Sequence, residues 1–338
     1  MLRLPCPWYN NPVSAHSSSA AKNAPSVSVV VPIYNEAKSL PTLFARLIPV
    51  LEKLPESYEV VAVDDGSTDD SFSVLQSEAH KNPHIRTLRF PRNFGQTAAL
   101  SAGIEHAHGN VIVTIDSDLE NDPADIPKLL ATLDDTYSVV SGWRERRWEG
   151  SFVTRKIPSL AANWLISALT GVKLHDYGCT LKAYRASVIK GVRLYGEMHR
   201  FIPAYAAWQG GRVTEIPVNY APRMHGKSNY GLGRIFRVLL DLVVVVFMHR
   251  YLSRPMHFFG GTGLVSLLLG GTVGLIAIVL KIFHIRDFVS TPLPILAALL
   301  IIVGVQLILF GVIGEMLMRL YYESGDRRPY VIAEISGE

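Results

Sequence analysis

Two long apolar segments near the end of this 338-residue chain constrain its folding more than any other feature. Phe258 to Leu280 and Leu293 to Ile313 are each about 20 residues long without an ionised side chain, enough to cross a hydrocarbon core of roughly 30 Å. A short polar connection joins them, so they form a hairpin with both chain ends on one side. We therefore predict membrane spans at 258–280 and 293–318; the alternative is a pair of core helices in a soluble protein.

Positive charges around the hairpin indicate its orientation. Arginines flank the shared side, whereas Lys281 and Arg286 in the short connection reduce the contrast. The flanking arginines are Arg250, Arg254, Arg319, Arg327 and Arg328. Because positive flanks favour the cytoplasmic side, we expect a multi-pass protein of the inner (plasma) membrane with its N-terminal domain in the cytoplasm.

The first 120 residues alternate apolar strand patterns with polar turns and helical stretches. Ser28 to Val31 is a buried-strand run that breaks at Pro32, and a helical pattern follows from Leu40 to Leu54. Tyr58 to Val63 is a second such run, followed directly by an acidic, glycine-containing turn. This rhythm predicts an open α/β fold with a mostly parallel sheet, in which ligands bind beyond the carboxyl ends of the strands.

A carboxylate cluster follows a third apolar run, Val111 to Ile115. Alternate residues of an extended strand share a face, so we expect Asp116, Asp118 and Glu120 to converge. Hard oxygen ligands of this kind favour Mg²⁺ or Mn²⁺ together with a phosphate-bearing substrate. The alternative is a solvated strand end or the start of a helix at Asp122.

Several motifs stand in register and carry a resemblance to a known family. They are Val-Pro-Ile-Tyr-Asn-Glu at 31–36, Val-Asp-Asp-Gly-Ser at 63–67, Arg-Asn-Phe-Gly at 92–95, Asp-Ser-Asp at 116–118 and Asp-Tyr-Gly-Cys-Thr-Leu-Lys-Ala-Tyr-Arg at 176–185. Over residues 26–332 the chain resembles the inverting family 2 glycosyltransferases with a GT-A nucleotide-sugar-binding domain. Within them it is similar to the polyprenyl-phosphate glycosyltransferases, which include dolichol-phosphate mannose synthase and bacterial undecaprenyl-phosphate glucosyl and aminoarabinosyl transferases.

The resemblance implies a donor site and a metal site. The residues expected to bind the nucleotide-sugar are Pro32, Tyr34, Asn35, Glu36, Asp65 and Asp116. The expected ligands of Mg²⁺ or Mn²⁺ are Asp116, Asp118 and Glu120, where Glu120 replaces a glutamine frequent in the family.

The resemblance also implies residues for the chemistry and for the acceptor phosphate. The candidate catalytic residues are Asp118, Asp176 and Arg144, and the candidate acceptor-phosphate residues are Arg155, Arg200, Arg223 and Ser228. Asp176 is a general base, an orienting group or a turn cap. The alternative for Arg144 is that it is an exposed cation in the charged run 144–147. The alternative for Arg200 and His199 is a structural role without contact to phosphate. We interpret His175 as a surface residue.

The resulting domain prediction has five parts. They are a disordered lead-in at 1–25, a GT-A catalytic domain at 26–229, an interfacial juxtamembrane helix at 230–254, a transmembrane hairpin at 255–320 and a cytoplasmic tail at 321–338. A further helix at 157–169 has apolar residues at helical spacing. It lies either at the membrane interface or against the protein core.

The resemblance implies an inverting, metal-dependent enzyme that transfers one sugar, with a UDP-sugar favoured as donor and undecaprenyl phosphate favoured as acceptor. The lipid-linked monosaccharide would serve cell-envelope glycan modification through a separate flippase and a downstream transferase. A net charge of +4 suits anionic substrates and an anionic membrane surface, and no nucleic-acid module is evident. The sequence leaves open whether the protein forms a homo-oligomer. The alternatives are another acceptor, a processive polysaccharide synthase, disfavoured by the lack of a Gln-x-x-Arg-Trp motif, and a non-catalytic scaffold.

Overall fold

The computed structural model describes residues 25–145, 157–190, 198–208, 210–222, 255–323 and 334–336, with a few single positions between 192 and 247. The chain divides into two compact units, Met1–Val243 with Arg328–Glu338, and Val244–Arg327. Nearly all of the predicted lead-in, most of the predicted juxtamembrane helix and most of the predicted tail lie outside the described residues.

Strands and helices alternate through the first half of the first unit, as predicted. Its described strands are β1 (Val27–Ile33), β2 (Tyr58–Asp64), β3 (Ile85–Arg89), β4 (Val111–Thr114), β5 (Val139–Trp143), β6 (Lys182–Arg185), β7 (Val213–Pro217) and β8 (Glu334–Ser336). Its described helices are α1 (Leu40–Leu51), α2 (Ser71–Lys81), α3 (Gln96–His106), α4 (Ile126–Thr132), α5 (Ile157–Thr170), α6 (Ala186–Ile189) and α7 (Ile202–Trp208).

The strands of the described residues form one sheet in the order β7-β5-β6-β4-β1-β2-β3-β8. The neighbours among β4, β1, β2 and β3 pair in parallel, as do β5 and β7. Strand β6 is antiparallel to both β4 and β5, and β8 is antiparallel to β3. Because β6 is antiparallel to both of its neighbours, β4 and β5 run in the same direction, and their carboxyl ends lie at the same edge of the sheet. The predicted α/β class is confirmed, with a mixed sheet.

The core explains why the first two strands read as continuous apolar runs. Every residue of β1 and β2 is buried, and Val29 of β1 aligns with Val60 of β2 and Val113 of β4. Strands covered on both faces lack the polar alternation of half-exposed strands. Helix α1 packs Leu43 and Leu47 into this core. The packing places the carboxyl ends of β1, β2 and β4 side by side.

The backbone after β4 departs from the extended path that we expected. The strand ends at Thr114, and Leu119 has a left-handed φ of 64°, which costs on the order of 1–3 kcal/mol for a residue with a side chain. The alternation that was expected to align Asp116, Asp118 and Glu120 therefore does not extend through the cluster. Their positions depend on the turn.

A buried polar network joins the amino ends of the same strands. Ser28 donates to Glu59 Oε1 at 2.6 Å, and the Arg86 guanidinium donates to Glu59 Oε2 at 3.0 Å. The His108 N–H donates to Glu59 Oε1 at 2.6 Å, and the Gly109 N–H donates to Ser28 Oγ at 2.7 Å. Burial opposes ionisation, but these donors lower the pKa of Glu59 below its ordinary value. Its carboxylate ties β1, β2, β3 and the start of β4 together.

We expect Glu59→Gln to destabilise the protein by about 3 kcal/mol, because Arg86 then remains buried without its counter-ion. Chemical unfolding of the detergent-solubilised protein measures this loss. A lowered pKa stabilises the fold above the unfolded value of about 4.5. The gap between the two proteins should therefore narrow as the pH falls below that value. A pH-independent gap would contradict this account.

The second unit contains helices α8 (Pro255–Ile282) and α9 (Leu293–Glu323), which pack against each other. In the part of the chain that the structure describes, these two helices are long and apolar enough to cross a membrane. Only 17% of each apolar stretch is buried, which argues against core helices of a soluble protein. Close approach requires glycine: a Cβ on Gly263 would lie 2.7 Å from the carbonyl oxygen of Gly304.

We expect Gly263→Val to lower the melting temperature of the detergent-solubilised protein, because overpacking of a close contact costs about 1–3 kcal/mol. Gly261→Val is the matched control on the same helix, since a Cβ at Gly261 meets nothing within 4 Å. Melting curves measured in one detergent compare the two variants. Equal melting temperatures for both would show that the close contact does not stabilise the hairpin.

The exposure of side chains on helix α5 bears on whether its apolar stripe faces the protein core or the membrane interface. Among its described side chains, Leu160 is 50% exposed and Trp164 is 71% exposed. The opposite side packs inward, with Asn163 Nδ2 donating to the His175 carbonyl at 2.5 Å and Ile166 buried. Within the described residues, this apolar stripe therefore does not face the core. A role at the membrane interface remains a prediction.

Candidate active site

The turns after β1 and β2 are bonded to each other. Asn35 has a left-handed φ of 55°, which asparagine tolerates better than most residues. Its N–H donates to Ser67 Oγ at 3.0 Å, and its Oδ1 accepts from the Thr68 N–H at 2.8 Å. The Glu36 N–H donates to Ser71 Oγ at 2.8 Å. Two of the predicted donor-binding residues thus fix the shape of the turns around them.

Asp65 organises the loop that follows β3. Its carboxylate accepts from the N–H groups of Phe94 at 2.7 Å and Gly95 at 2.9 Å, and from Asn93 Nδ2 at 2.9 Å. Burial raises the pKa of Asp65 to about 6, while the two backbone donors act in the opposite direction. The Arg-Asn-Phe-Gly motif is therefore held by the Val-Asp-Asp-Gly-Ser motif. Direct contact between Asp65 and a nucleotide stays a prediction.

A cleft of about 510 Å³ opens beside these turns. Its lining residues are Tyr34, Gly66, Ser67, Thr68, Arg89, Phe90, Pro91, Arg92 and Asn93. Gly66 has a φ of 66°, and a Cβ there would lie 2.3 Å from the Arg92 carbonyl carbon, so only glycine permits this approach. Tyr34 is 45% exposed and presents an aromatic ring at the cleft. The volume is within the range of small-ligand sites.

The carboxylates after β4 separate into two environments. Asp116 is half-buried and accepts from Gln96 Nε2 at 2.7 Å. Asp118 is buried and its Oδ1 accepts the Glu120 N–H at 3.0 Å, which closes the left-handed turn at Leu119. Glu120 is directed to Arg144 instead, with 3.2 Å between the charged atoms.

The predicted set of three metal ligands is therefore not assembled. Within the described ranges, no group of three or more His, Cys, Asp or Glu side chains is arranged to hold a metal ion. Glu120 is engaged by Arg144, which explains its separation. An ion that also binds phosphate oxygens needs only one or two protein carboxylates. Asp116 and Asp118 provide hard oxygen donors that fit this requirement.

Arg144 is the centre of a buried ionic cluster. Its Nε donates to Asp176 Oδ2 at 2.8 Å, a second guanidinium nitrogen donates to Asp176 Oδ1 at 3.3 Å, and a third donates to Glu120 at 3.2 Å. Arg144 is 3% exposed, so the alternative of an exposed cation is wrong. Burial by itself would lower the pKa of Arg144, but the nearby carboxylates of Asp176 and Glu120 raise this pKa above its ordinary value. The guanidinium is permanently charged.

Asp176 is held from two directions. Besides the guanidinium, the Gly178 N–H donates to Asp176 Oδ1 at 3.0 Å, as in a turn cap. A carboxylate that accepts these donors is stabilised in its ionised form. The structure therefore shows the turn-cap contact, and the role of Asp176 as a base or an orienting group stays a prediction.

Sequence reasoning missed two groups of this site. Gln96 follows the Arg-Asn-Phe-Gly motif directly, and its polar side chain at a helix start was the available signal. Lys182 is 2% exposed inside β6, and a lysine between Leu181 and Ala183 was the signal there. Gln96 lies next to one motif, and Lys182 lies within another.

The histidines near the site have structural contacts. His175 stacks on Trp143 with 4.5 Å between ring centroids and bonds to Glu215, while its side chain stays 66% exposed, as the surface interpretation requires. His199 is buried, with 2.6 Å between its Nδ1 and Thr97 Oγ1. Arg200 follows it, half-buried, and its role toward a phosphate stays a prediction.

Arg155, Arg223 and Ser228 lie outside the described residues. The structure therefore brings together the Asn35 and Asp65 turns and, separately, the cluster of Arg144, Asp176 and Glu120. The hydrogen bond from Gln96 to Asp116 links the start of α3 to the loop after β4.

Comparisons with known proteins agree with this architecture. The chain matches the model of Glycosyl transferase family 2 over residues 28–193. Glucosyl-3-phosphoglycerate synthase from Mycobacterium tuberculosis, in complex with Mn²⁺ and uridine-diphosphate-glucose, superposes with a TM-score of 0.51 over 67% of this chain and 80% of that chain. At 20% identity this likeness concerns the fold alone. The predicted GT-A fold is confirmed.

Two bacterial relatives are similar over nearly the whole chain. Dodecaprenyl-phosphate galacturonate synthase of Rhizobium johnstonii is 44% identical over 316 residues, which are 91% of this chain and 92% of the relative. Undecaprenyl-phosphate 4-deoxy-4-formamido-L-arabinose transferase of Enterobacter sp. is 37% identical over 312 residues, or 91% and 93% of the two chains. The chain therefore belongs to glycosyl transferase family 2 and, within it, to the polyprenyl-phosphate glycosyltransferases.

Proposed function

We propose that this enzyme transfers one sugar from a nucleotide-sugar to polyprenyl phosphate with inversion at the anomeric carbon. The observation that carries the proposal is the extent of the similarity to enzymes named for this acceptor class. It covers 91% of the chain at 44% identity, and so includes apolar helices as well as the catalytic unit. A soluble-acceptor enzyme has no need for such helices.

The donor would bind at the carboxyl ends of β1, β2 and β4. The cleft beside Tyr34 has the volume for a nucleoside, and the exposed ring is available to stack on the base. Asp116 and Asp118 would hold a Mg²⁺ or Mn²⁺ ion at the diphosphate. When bound, that ion supplies positive charge that offsets the charge developing on the leaving nucleotide.

The acceptor would attack without a general base. An oxygen of the lipid phosphate forms the new bond to the anomeric carbon while the bond from that carbon to the nucleotide diphosphate breaks. The second pKa of a phosphate monoester is about 6, so the attacking oxygen is largely ionised near neutrality. This removes the need for proton abstraction by Asp176. Paired with Arg144, Asp176 would orient the acceptor side of the site.

Orientation and location follow from the charges around the hairpin. The arginine flanks favour a multi-pass protein of the inner membrane with the catalytic domain in the cytoplasm, where nucleotide-sugars are made. The exposed stripe of Leu160 and Trp164 on α5 would then lie at the bilayer surface, a common use of such helices. The lipid phosphate could thereby reach the site without leaving the membrane.

The identity of the substrates is the finer part of the proposal. We favour a UDP-sugar and undecaprenyl phosphate, with a separate flippase and a downstream transferase using the product for cell-envelope glycans. The relatives are named for galacturonate and for 4-deoxy-4-formamido-L-arabinose. Uronic-acid and amino-sugar donors therefore belong in the first assay beside UDP-glucose and GDP-mannose. The proposal includes a homo-oligomer that associates through the hairpin.

The direct test incubates the purified full chain with undecaprenyl phosphate, Mg²⁺ or Mn²⁺ and this donor panel, and detects lipid products by mass spectrometry. We expect one donor to give a lipid monophosphate sugar, with activity abolished by a chelator and restored by the ion. Asp118→Ala should lower kcat by about 100-fold or more, since even indirect metal partners contribute 10- to 100-fold.

Asp134→Asn is the control for that variant, because Asp134 caps an exposed turn that precedes β5, at the amino end of that strand. It should transfer sugar at the unsubstituted rate. Nucleotide binding without any lipid product, across all donors, would refute the acceptor class. Products with several sugars on one lipid would instead favour a processive enzyme.

Arg144→Lys should reduce kcat by about 100-fold, because a single ammonium cannot reproduce the fork that bridges Asp176 and Glu120, and small displacements in a site cost this much. Arg185→Lys is the matched control. Arg185 pairs with Asp135 at 3.2 Å, but both side chains are exposed. Steady-state rates with the preferred donor compare the two. Equal rates would show that the buried fork is dispensable.

A further inference from the structure

Lys182 is a buried charge to which the reaction scheme gives no role. It is 2% exposed and lies in β6, opposite Thr114 of β4 and Ser141 of β5. Burial lowers the pKa of its ammonium below the ordinary value. Taking a charge out of water is costly unless the group is paired and hydrogen-bonded. The contacts of Lys182 show what the charge is used for.

The ammonium binds the turn between Asp176 and β6. Its Nζ donates to the carbonyl oxygen of Cys179 and, at 3.4 Å, to that of Tyr177. Thr114 Oγ1 donates to the Thr180 carbonyl at 2.5 Å. Two of the turn's carbonyls therefore depend on one side chain. A buried carbonyl without a donor is rare and destabilising.

This turn begins at the residue that pairs with Arg144. The Asp176 carboxylate accepts from Arg144 and from the Gly178 N–H, and Gly178 lies between the two carbonyls that Lys182 holds. A shift of these carbonyls moves Gly178 and changes the distances to Asp176. The separations of 2.8 and 3.3 Å between Arg144 and Asp176 thus depend on the position of the turn.

The charge of Lys182 also acts on the ionic cluster. The Asp176 carboxylate stabilises its ammonium, while the guanidinium groups of Arg144 and Arg200 repel it. The attraction and the hydrogen bonds both draw the turn toward β6. A neutral residue of the same length would fill the space but supply neither.

We propose that Lys182 is a positioning residue for sugar transfer, whose buried ammonium fixes the turn at 177–180 and thereby keeps Asp176 paired with Arg144. This inference rests on the proposed function, because its effect is measured on the transfer step. It predicts a loss of turnover that leaves nucleotide binding intact, since the Asp65 turn and the cleft beside Tyr34 lie on other strands.

The test compares the unsubstituted full chain with Lys182→Met, which keeps the length of the side chain and removes its charge and donors. Transfer to undecaprenyl phosphate gives kcat and donor KM, and calorimetry with UDP and GDP gives nucleotide affinity. We expect kcat to fall about 10- to 100-fold with unchanged nucleotide affinity. Lys182→Gln, which keeps one donor group, should fall between the two.

Lys190→Met is the control, because burial lowers the pKa of Lys190 as it does that of Lys182, but Lys190 is only half-buried and lies at the end of α6, outside the site. It should leave kcat unchanged. A Lys182→Met enzyme with the original kcat, or one whose kcat and nucleotide affinity fall together, would overturn the inference. If Lys182→Met does not accumulate as folded protein, Lys182→Gln is judged by the same two criteria. No product from the unsubstituted enzyme would refute the proposed function itself, and the inference with it.

Discussion

The candidate site depends on one buried interaction, the guanidinium of Arg144 between Asp176 and Glu120. Arg144 follows β5, Asp176 precedes β6 and Glu120 follows β4. The sheet order β5-β6-β4 therefore brings the three residues together. At 3% exposure, Arg144 without its partners would be an uncompensated buried charge, which costs about 3–5 kcal/mol. Each member is therefore tolerated because of the others. The ion pairs of this cluster form on folding and fix the geometry of these three side chains before any substrate binds.

The amino and carboxyl ends of the strands differ in what they contribute: the amino ends are held by a buried polar network, and the carboxyl ends carry strained turns. At the amino ends of the strands, the Glu59 network gives its buried carboxylate three kinds of donor and holds β1, β2 and β3 in register. At the carboxyl ends, Asn35 and Leu119 adopt left-handed backbone, which costs free energy. Strain persists only where the surrounding structure determines it. The Glu59 network provides that support, because it anchors the amino ends of the strands whose carboxyl ends lead into the strained turns.

The sequence was informative where local patterns decide the outcome. Strands β1, β2 and β4 and both long helices follow from continuous apolar runs, since burial on both faces or in lipid leaves no other pattern. The geometry of Arg144 could not be predicted in this way. It lies in a run of charged residues, and its partners Asp176 and Glu120 are 32 and 24 positions away. The left-handed turn at Leu119 was equally hidden, because leucine gives no signal for that conformation. Long-range pairing and turn geometry therefore directed Glu120 to Arg144, away from the carboxylates with which the motif had grouped it.

The charge balance of the described site gives a physical reason for a divalent ion. Carboxylates at the carboxyl edge, Asp116, Asp118, Glu120 and Asp176, outnumber the buried cations Arg144 and Lys182. Both cations are engaged by the protein itself, through Asp176 and Glu120 or through turn carbonyls. The substrates of the proposed reaction, a nucleotide diphosphate and a lipid phosphate, would add further negative charge to the same region. Side chains already paired with each other would not neutralise it, and an ion of charge two held by Asp116 and Asp118, as proposed above, would supply the compensation that the oxygen donors of this edge accommodate.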